Sequence, residues 1–467
     1  MRRTLVVSLL LNLVLVSGAQ NRLAALPDDL GYRGIWFELN QKFEYGDKYS
    51  GGLGTYTAKH RPLAIHAPEV GMTFFVYGGT TTAAEKHLLC MIGAYDHGSD
   101  EVLRPTVVHD KEDVLDPHDN PSLLIDEAGH LWVFVSGRGQ LRPGFKYRSV
   151  RSYDIGAFER VTEEEMTYPQ PWLQDDGSML HFFTKYTGVR ELYFETSSDG
   201  VTWSEDAKLV GIREIGDERG GHYQVSSSNG RKVGTFFNRH PDGVVDRRTD
   251  LYYVESVDAG ATWQTVRGES LSIPLVDVNS RSRVRDTARA SRNVYLKDMV
   301  FDEAGNPVCL YVTSGGHEPG PINAPREFRI TRWDGDAWHT SVVASTGHNY
   351  DMGSLYLEGD DWSVVVPTGR GPQTHGTGGE IEIHQSDNRG DSWQFERVVT
   401  RGSPRNHGYV RRPENAADSF WYFWADGNPD TFGVSRLFIG DSQGHYKMLP
   451  YDMKTNRVKL GLAQSSN

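Results

Sequence analysis

Hydrophobic and polar positions alternate over short runs through almost the whole chain, and the runs are punctuated by Gly, Asn and Asp. One unit recurs. A polar or aromatic start leads into a short strand, a turn follows, and a strongly apolar strand then ends in small or charged residues. "HDNPSLLIDEAGHLWVFVSGRG" from His118 and "YLKDMVFDEAGNPVCLYVTSGGH" from Tyr295 are two copies. Further copies open at Tyr56, Tyr168, His222, Tyr350 and His407. A four-stranded propeller blade needs about 40–50 residues, more with insertions. The seven starts therefore predict an all-β chain folded as a single-domain, seven-bladed β-propeller over residues 20–467.

A second pattern agrees. "SVDAGATW" (256–263) and "SDNRGDSW" (386–393) match the Asp-box form S-x-D-x-G-x-[ST]-W, the second with Asn388 at the acidic place, and "TSSDGVTW" (196–203) is a degenerate third. The acidic or amide side chain caps a tight turn, Gly takes the strained position and Trp packs between blades. Trp203, Trp263 and Trp393 are thus structural.

Composition changes the picture at three points. The formal charge of −13 argues against nucleic acid as a partner, though a local cationic cleft can still gather an anion. The start reads as a signal peptide over residues 1–19: Arg2 and Arg3, an apolar run from Thr4 to Val16, then Ser17-Gly18-Ala19. No other segment is apolar enough to span a membrane, so the expected location is periplasmic or extracellular. Cys90 and Cys309, the two cysteines, each lie in an apolar strand and read as buried free thiols.

Propeller sites lie at one mouth of the central channel. The start of each first strand and the end of each second strand face that mouth, roughly 16–20 residues apart. First-strand starts supply Tyr56, His118, Tyr168, His222, Tyr223, Tyr295, Tyr350 and His407. Second-strand ends supply Arg138, Lys185, Tyr186, Arg239, His317 and Arg370. His348 and His375 sit near repeat boundaries. For any one of these residues a local structural role is the commoner outcome; the set is more telling than its members. No spacing is specific for a metal, and a structural ion such as calcium is compatible with the pattern but not demanded by it.

Arg, Lys and His together suit an anionic polysaccharide. A glycosidase would need a carboxylate pair, and the rim offers only Asp119, Asp298 and Asp351. Tyr with His and Arg suits β-elimination from a uronate instead: a cation neutralises the carboxylate, and proton-transfer groups serve the carbon and the leaving oxygen. Tyr223, Arg239 beside it across the hairpin, and His118 are the expected catalytic set. Arg138, Lys185, Tyr186, His222, His317, His348, Arg370, His407 and Tyr56 are the expected substrate-binding set, with Trp172 a further aromatic of the rim.

The opening "GYRGIWFELNQKFEYGDKYSGGLGTYTAKHRPLAIHAPEVGMTFFVYGG", with "HDNPSLLID", "NYDMGSLY" and "HGTGGEIEIHQSDNRGDSW", resembles the BNR-repeat-containing family. Propeller polysaccharide lyases are similar to that group, namely ulvan lyases and rhamnose–glucuronate lyases. The resemblance implies a His on an early blade, then a Tyr and an Arg on a later hairpin, which His118, Tyr223 and Arg239 match. Arg138 stands where several such enzymes carry a second His. A sialidase-like glycoside hydrolase and a non-catalytic carbohydrate-binding propeller are the competing readings, since fold alone does not fix function.

Overall fold

A computed structural model describes residues 26–82, 87–112, 114, 116–186 and 189–463; the expected signal peptide lies outside them. Among the described residues there is no α-helix, only 3-10 turns such as Pro117–Asp119, and no helix is long and apolar enough to cross a membrane.

Antiparallel sheets of four or more strands follow one another along the chain. Their innermost strands are Ala64–Ala67, Pro121–Ile125, Thr167–Leu173, Gln224–Asn229, Asn293–Phe301, Ser354–Glu358 and Asn406–Arg411. They are called the first to seventh sheets below. In the third sheet Met179–Tyr186, Arg190–Ser197 and Ala207–Val210 then run outward in sequence order. This arrangement follows from the sequence pattern: a short apolar strand buried on both faces must sit between neighbours, and hairpin turns make each neighbour the next segment of chain.

Large side chains fill the spaces between sheets. The Trp172 indole of the third sheet donates to Ser226 Oγ of the fourth at 2.8 Å. Tyr356 of the sixth stacks on Trp421 beside the seventh at 3.8 Å. Phe75 of the first meets Phe420 and Phe423 at 5.5 and 5.9 Å, so the last sheet packs on the first. The ring is also joined by hydrogen bonds. Arg457–Lys459, the last strand, pairs with Glu101–Leu103 on the outer edge of the first sheet. Radial closure of this kind is the propeller solution to exposed sheet edges.

The Asp-box turns behave as their chemistry requires. Asp258 Oδ1 accepts from Thr262 N at 2.8 Å and Ser256 Oγ from Gly260 N at 2.8 Å. Gly260 has φ +87°, which favours glycine. Trp263 packs on Phe194 of the preceding sheet at 5.0 Å, and Trp393 donates to Ser341 Oγ at 3.1 Å. Cys90 and Cys309 are buried and unpaired.

Candidate active site

Tyr223 immediately precedes the inner strand of the fourth sheet and is 6% exposed. Its backbone is clamped by Asn238, whose Oδ1 accepts from Tyr223 N and whose N donates to Tyr223 O, both at 3.0 Å. Three cations surround the ring. The Lys59 ammonium lies 4.2 Å from its centre, and the guanidinium carbons of Arg248 and Arg190 lie at 4.9 and 5.9 Å. Burial pushes the phenol up, but Arg190, then Arg248, a hydrogen bond with Tyr168 and Arg138 outweigh it and leave Tyr223 below the ordinary tyrosine value.

Among the described residues Lys59, Arg190 and Arg248 form no ion pair with a carboxylate. Arg248 donates to the Val245 carbonyl at 2.9 Å and the Tyr350 hydroxyl at 2.6 Å. Lys297 donates to the Asn349 carbonyl at 2.7 Å. Burial, first, draws the Lys59 ammonium well below the ordinary lysine value, and it brings Lys297 down to about 7, although Asp351 partly offsets this. Lys59, Arg248 and Lys297 line, with Tyr223, Tyr295, Tyr350 and Tyr409, a narrow, partly open cavity of about 20 Å³. That is room for one water-sized group, such as a carboxylate oxygen.

Tyr168 joins Tyr223 to His118. Its ring lies 5.7 Å from the first and 5.6 Å from the second. Tyr168 and Tyr409 both have positive φ, 58° and 56°, at register shifts in their inner strands. Bulges there re-aim two rings that strict alternation would send elsewhere. His118 stands in the turn Pro117–Asp119, capped by Asp116. Its Nδ1 faces Asp116 and Arg138, and Arg138 and Arg142 donate to Asp116 at 2.8 and 2.6 Å. Burial, first, holds His118 below the ordinary histidine value, against the raising effect of Asp116. The imidazole is thus held towards its neutral form, with Nδ1 placed between the Asp116 carboxylate and the Arg138 guanidinium.

The structure brings together His118, Tyr223, Arg138, Tyr186, Tyr56, Tyr168, Tyr295 and Tyr350 of the residues singled out in the sequence. Tyr186 lies 5.8 Å from Arg138 and 5.5 Å from Arg190, and Tyr56 packs edge-on to His118 at 5.7 Å. Arg239 is placed differently from the expectation. Its Nε donates to Asp250 at 2.6 Å and its Nη2 pairs with Glu214 at 2.7 Å. Tyr223 lies opposite Asn238, so alternation gives Arg239 to the His222 side of the sheet rather than to the phenol.

The other candidates are spread out. His222 is buried between Asn238 O at 3.0 Å and Ile212 N at 3.1 Å. Lys185 pairs with Asp206, on the face opposite Tyr186. His317 packs on Phe43 at 5.5 Å, and His348 accepts from Tyr350 N at 3.2 Å beneath the mouth. His375 packs on Tyr45 at 5.0 Å. Arg370 is exposed, and His407 accepts from the Trp424 indole at 2.8 Å, behind the seventh sheet. Lys59, Arg190, Arg248 and Lys297 complete the cluster.

The carboxylates near this mouth are already paired, and Arg142 bridges Asp116 and Asp119 at 2.6 and 2.8 Å. Asp119 accepts from Arg142 at 2.8 Å and Asp298 from Arg61. Asp351 accepts from Thr346 Oγ1 and Gly378 N, both at 2.6 Å, and from His348 N at 2.9 Å. The described residues hold a carboxylate–histidine group of metal-binding dimensions elsewhere, Glu164, His181 and Glu195. The buried Lys146 ammonium sits among them, 2.7 Å from each glutamate, so the charge a cation would supply is already present.

Comparison with known proteins agrees with this frame. The chain is 25% identical to an ulvan lyase of Nonlabens ulvanivorans over 330 residues, 63% of this chain and 67% of that one. It is 21% identical to an ulvan lyase of Alteromonas sp. (strain LOR) over 343 residues, 66% and 68% of the two chains. A solved polysaccharide lyase of family PL25, an ulvan lyase, superposes with a TM-score of 0.70 at 17% identity, covering 89% of this chain and 96% of that one. A PL25 ulvan lyase structure bound to -[GlcA(1-4)Rha3S]- gives 0.69 at 16%, with the same coverage. Residues 74–346, from the first sheet into the fifth, match the profile described as BNR repeat-containing family member, and the chain belongs to the BNR repeat-containing family.

Proposed function

We propose that this protein is a secreted polysaccharide lyase that cleaves a uronic-acid-containing polysaccharide of the ulvan type by β-elimination. The observation that carries the reading is the Tyr223 phenol lodged among Arg190, Arg248 and Lys59, none of which forms an ion pair with a carboxylate among the described residues. Such a wall attracts the uronate carboxylate, and neutralising it lowers the cost of charge on the adjacent carbon.

Arg190 and Arg248 favour the phenolate, so Tyr223 takes the proton from that carbon. The C–H electron pair becomes the new C=C bond. The bond to the glycosidic oxygen breaks with its electrons, and the oxygen takes a proton, which the re-formed Tyr223 phenol can return to it. His118 is the second proton-transfer group: neutral, oriented by Asp116, and reached from Tyr223 through Tyr168. Tyr56 and Tyr186 offer aromatic surface to the sugars. The similarity to ulvan lyases supports the substrate class.

The test is ultraviolet absorbance with ulvan as substrate, wild type beside Tyr223→Phe. Elimination creates a conjugated unsaturated uronate; hydrolysis creates none. Rising absorbance that falls about 10³-fold in the variant, with binding retained, is the expected result. New reducing ends without absorbance would overturn it.

A further inference from the structure

A second pocket, distinct from the Tyr223 cluster, opens over the seventh sheet. It measures about 600 Å³, within the range of small-ligand sites, and is lined by Arg401, Arg405 and Arg436 with Asp426 as the one carboxylate. In a chain of net charge −13, three guanidinium groups against one acid are a local reversal of sign.

Only Arg405 is committed within the fold. It pairs with Asp426 at 3.6 Å and donates to the Val434 carbonyl at 3.0 Å. Arg401 and Arg436 are exposed, and among the described residues neither guanidinium makes an ion pair; the Arg436 guanidinium meets the Met448 sulfur at 3.2 Å, while its backbone N donates to Asp426 at 2.7 Å. Tyr446, edge-on to Phe438 at 6.1 Å, supplies an aromatic wall. Arginine forks and an aromatic face are the two means by which proteins hold acidic sugars.

Position connects this pocket to the active site. Its lining reaches His407 on the inner strand Asn406–Arg411, and Tyr409 of the same strand lines the central cavity. Arg401 and Ser403 also line an adjoining hollow that carries Arg370 together with Glu380 and Glu382. The excess of positive charge is thus confined to the pocket over the seventh sheet.

The geometry points to a distal subsite for a second acidic sugar, a carboxylate or sulfate ester of the same polymer, held by Arg401 and Arg436. The inference rests on the lyase reading for the identity of the polymer, but its test does not depend on turnover. The full chain and the Arg401→Ala/Arg436→Ala variant are run by affinity electrophoresis through gels containing ulvan, desulfated ulvan or an uncharged glucan. The expected result is about tenfold weaker retardation of the variant by ulvan, equivalent to about one lost bidentate contact, and no retardation of either protein by the glucan. The Arg401→Lys/Arg436→Lys variant should recover part of the retardation, which a misfolded protein would not. A difference that disappears on desulfation assigns the sulfate ester, and one that persists assigns the carboxylate. Equal retardation of wild type and the Ala variant by ulvan overturns the subsite even if the enzyme eliminates. A clear difference with no unsaturated product from wild type would instead sink the lyase reading and leave the subsite standing.

Discussion

The Lys59 ammonium stands 4.2 Å from the centre of the Tyr223 ring, and it comes from a segment that precedes the first sheet while Tyr223 opens the fourth. An amine is thus brought to the face of the phenol from outside its own hairpin. Arg190 and Arg248 make the phenolate accessible at lower pH than in an isolated tyrosine.

If the phenolate is the base, kcat/KM rises with pH through the Tyr223 ionisation. Removing a cation that favours the phenolate moves that limb to higher pH. Arg190→Gln and Arg248→Gln are both expected to show the alkaline displacement, with a loss of about 10²-fold in kcat/KM at neutral pH. A pH–rate profile checks this; an unshifted limb with reduced amplitude would assign the arginines to substrate binding alone.

Arg239 should behave as a structural residue. Its side chain is 6% exposed and Asp250, its partner, is fully buried. Arg239→Gln leaves that carboxylate uncompensated, and a loss of about 3 kcal/mol in unfolding free energy is expected. Denaturant titration measures the loss, and kcat/KM of the folded fraction should stay within a few-fold of wild type. A 10³-fold loss in a fully folded variant would restore Arg239 to the chemistry.

Acid should weaken the fold below about pH 6.5. Burial brings His222 and His407 down to about 4 from an ordinary value of 6.5. Between those values the unfolded chain binds protons that the folded chain refuses, so stability falls as pH drops through that window. Each such histidine contributes up to about 1.4 kcal/mol per pH unit. Urea midpoints at pH 7, 6 and 5 should decline, and His222→Gln should flatten the decline.

Lys146 is expected to be indispensable to the interface of the second and third sheets. It is fully buried between Glu164 and Glu195, 3.6 Å from the Trp203 ring. Lys146→Met strands the two carboxylates beside His181 and should cost about 3 kcal/mol. Thermal melts of this variant should also become sensitive to added zinc, while wild type stays indifferent.

The repeat made the architecture legible, because each sheet repeats the same apolar and turn signals. His118 and Tyr223 were legible too, as polar residues opening inner strands. Arg239 shows where that reasoning stops. A spacing of 16 places it at the mouth end of the next strand, but alternation decides which face it takes, and Asn238 already holds the place opposite Tyr223. Arg190 and Arg248 escaped because they begin or precede third strands, Arg190–Ser197 and Thr249–Ser256. Those starts share the mouth with second-strand ends, since a hairpin turn joins them there. Lys59 lies inside the first repeat, between its start at Tyr56 and the inner strand Ala64–Ala67, so a reading of strand starts and strand ends passes over it.

The pairing of Arg457–Lys459 with Glu101–Leu103 bears on how the molecule is made. Residues some 350 positions apart share one sheet, so the first sheet keeps an unpaired edge during synthesis until the seventh has emerged. A chain released early would offer that edge to other chains. Assembly of the ring and its protection from aggregation are therefore a single late event.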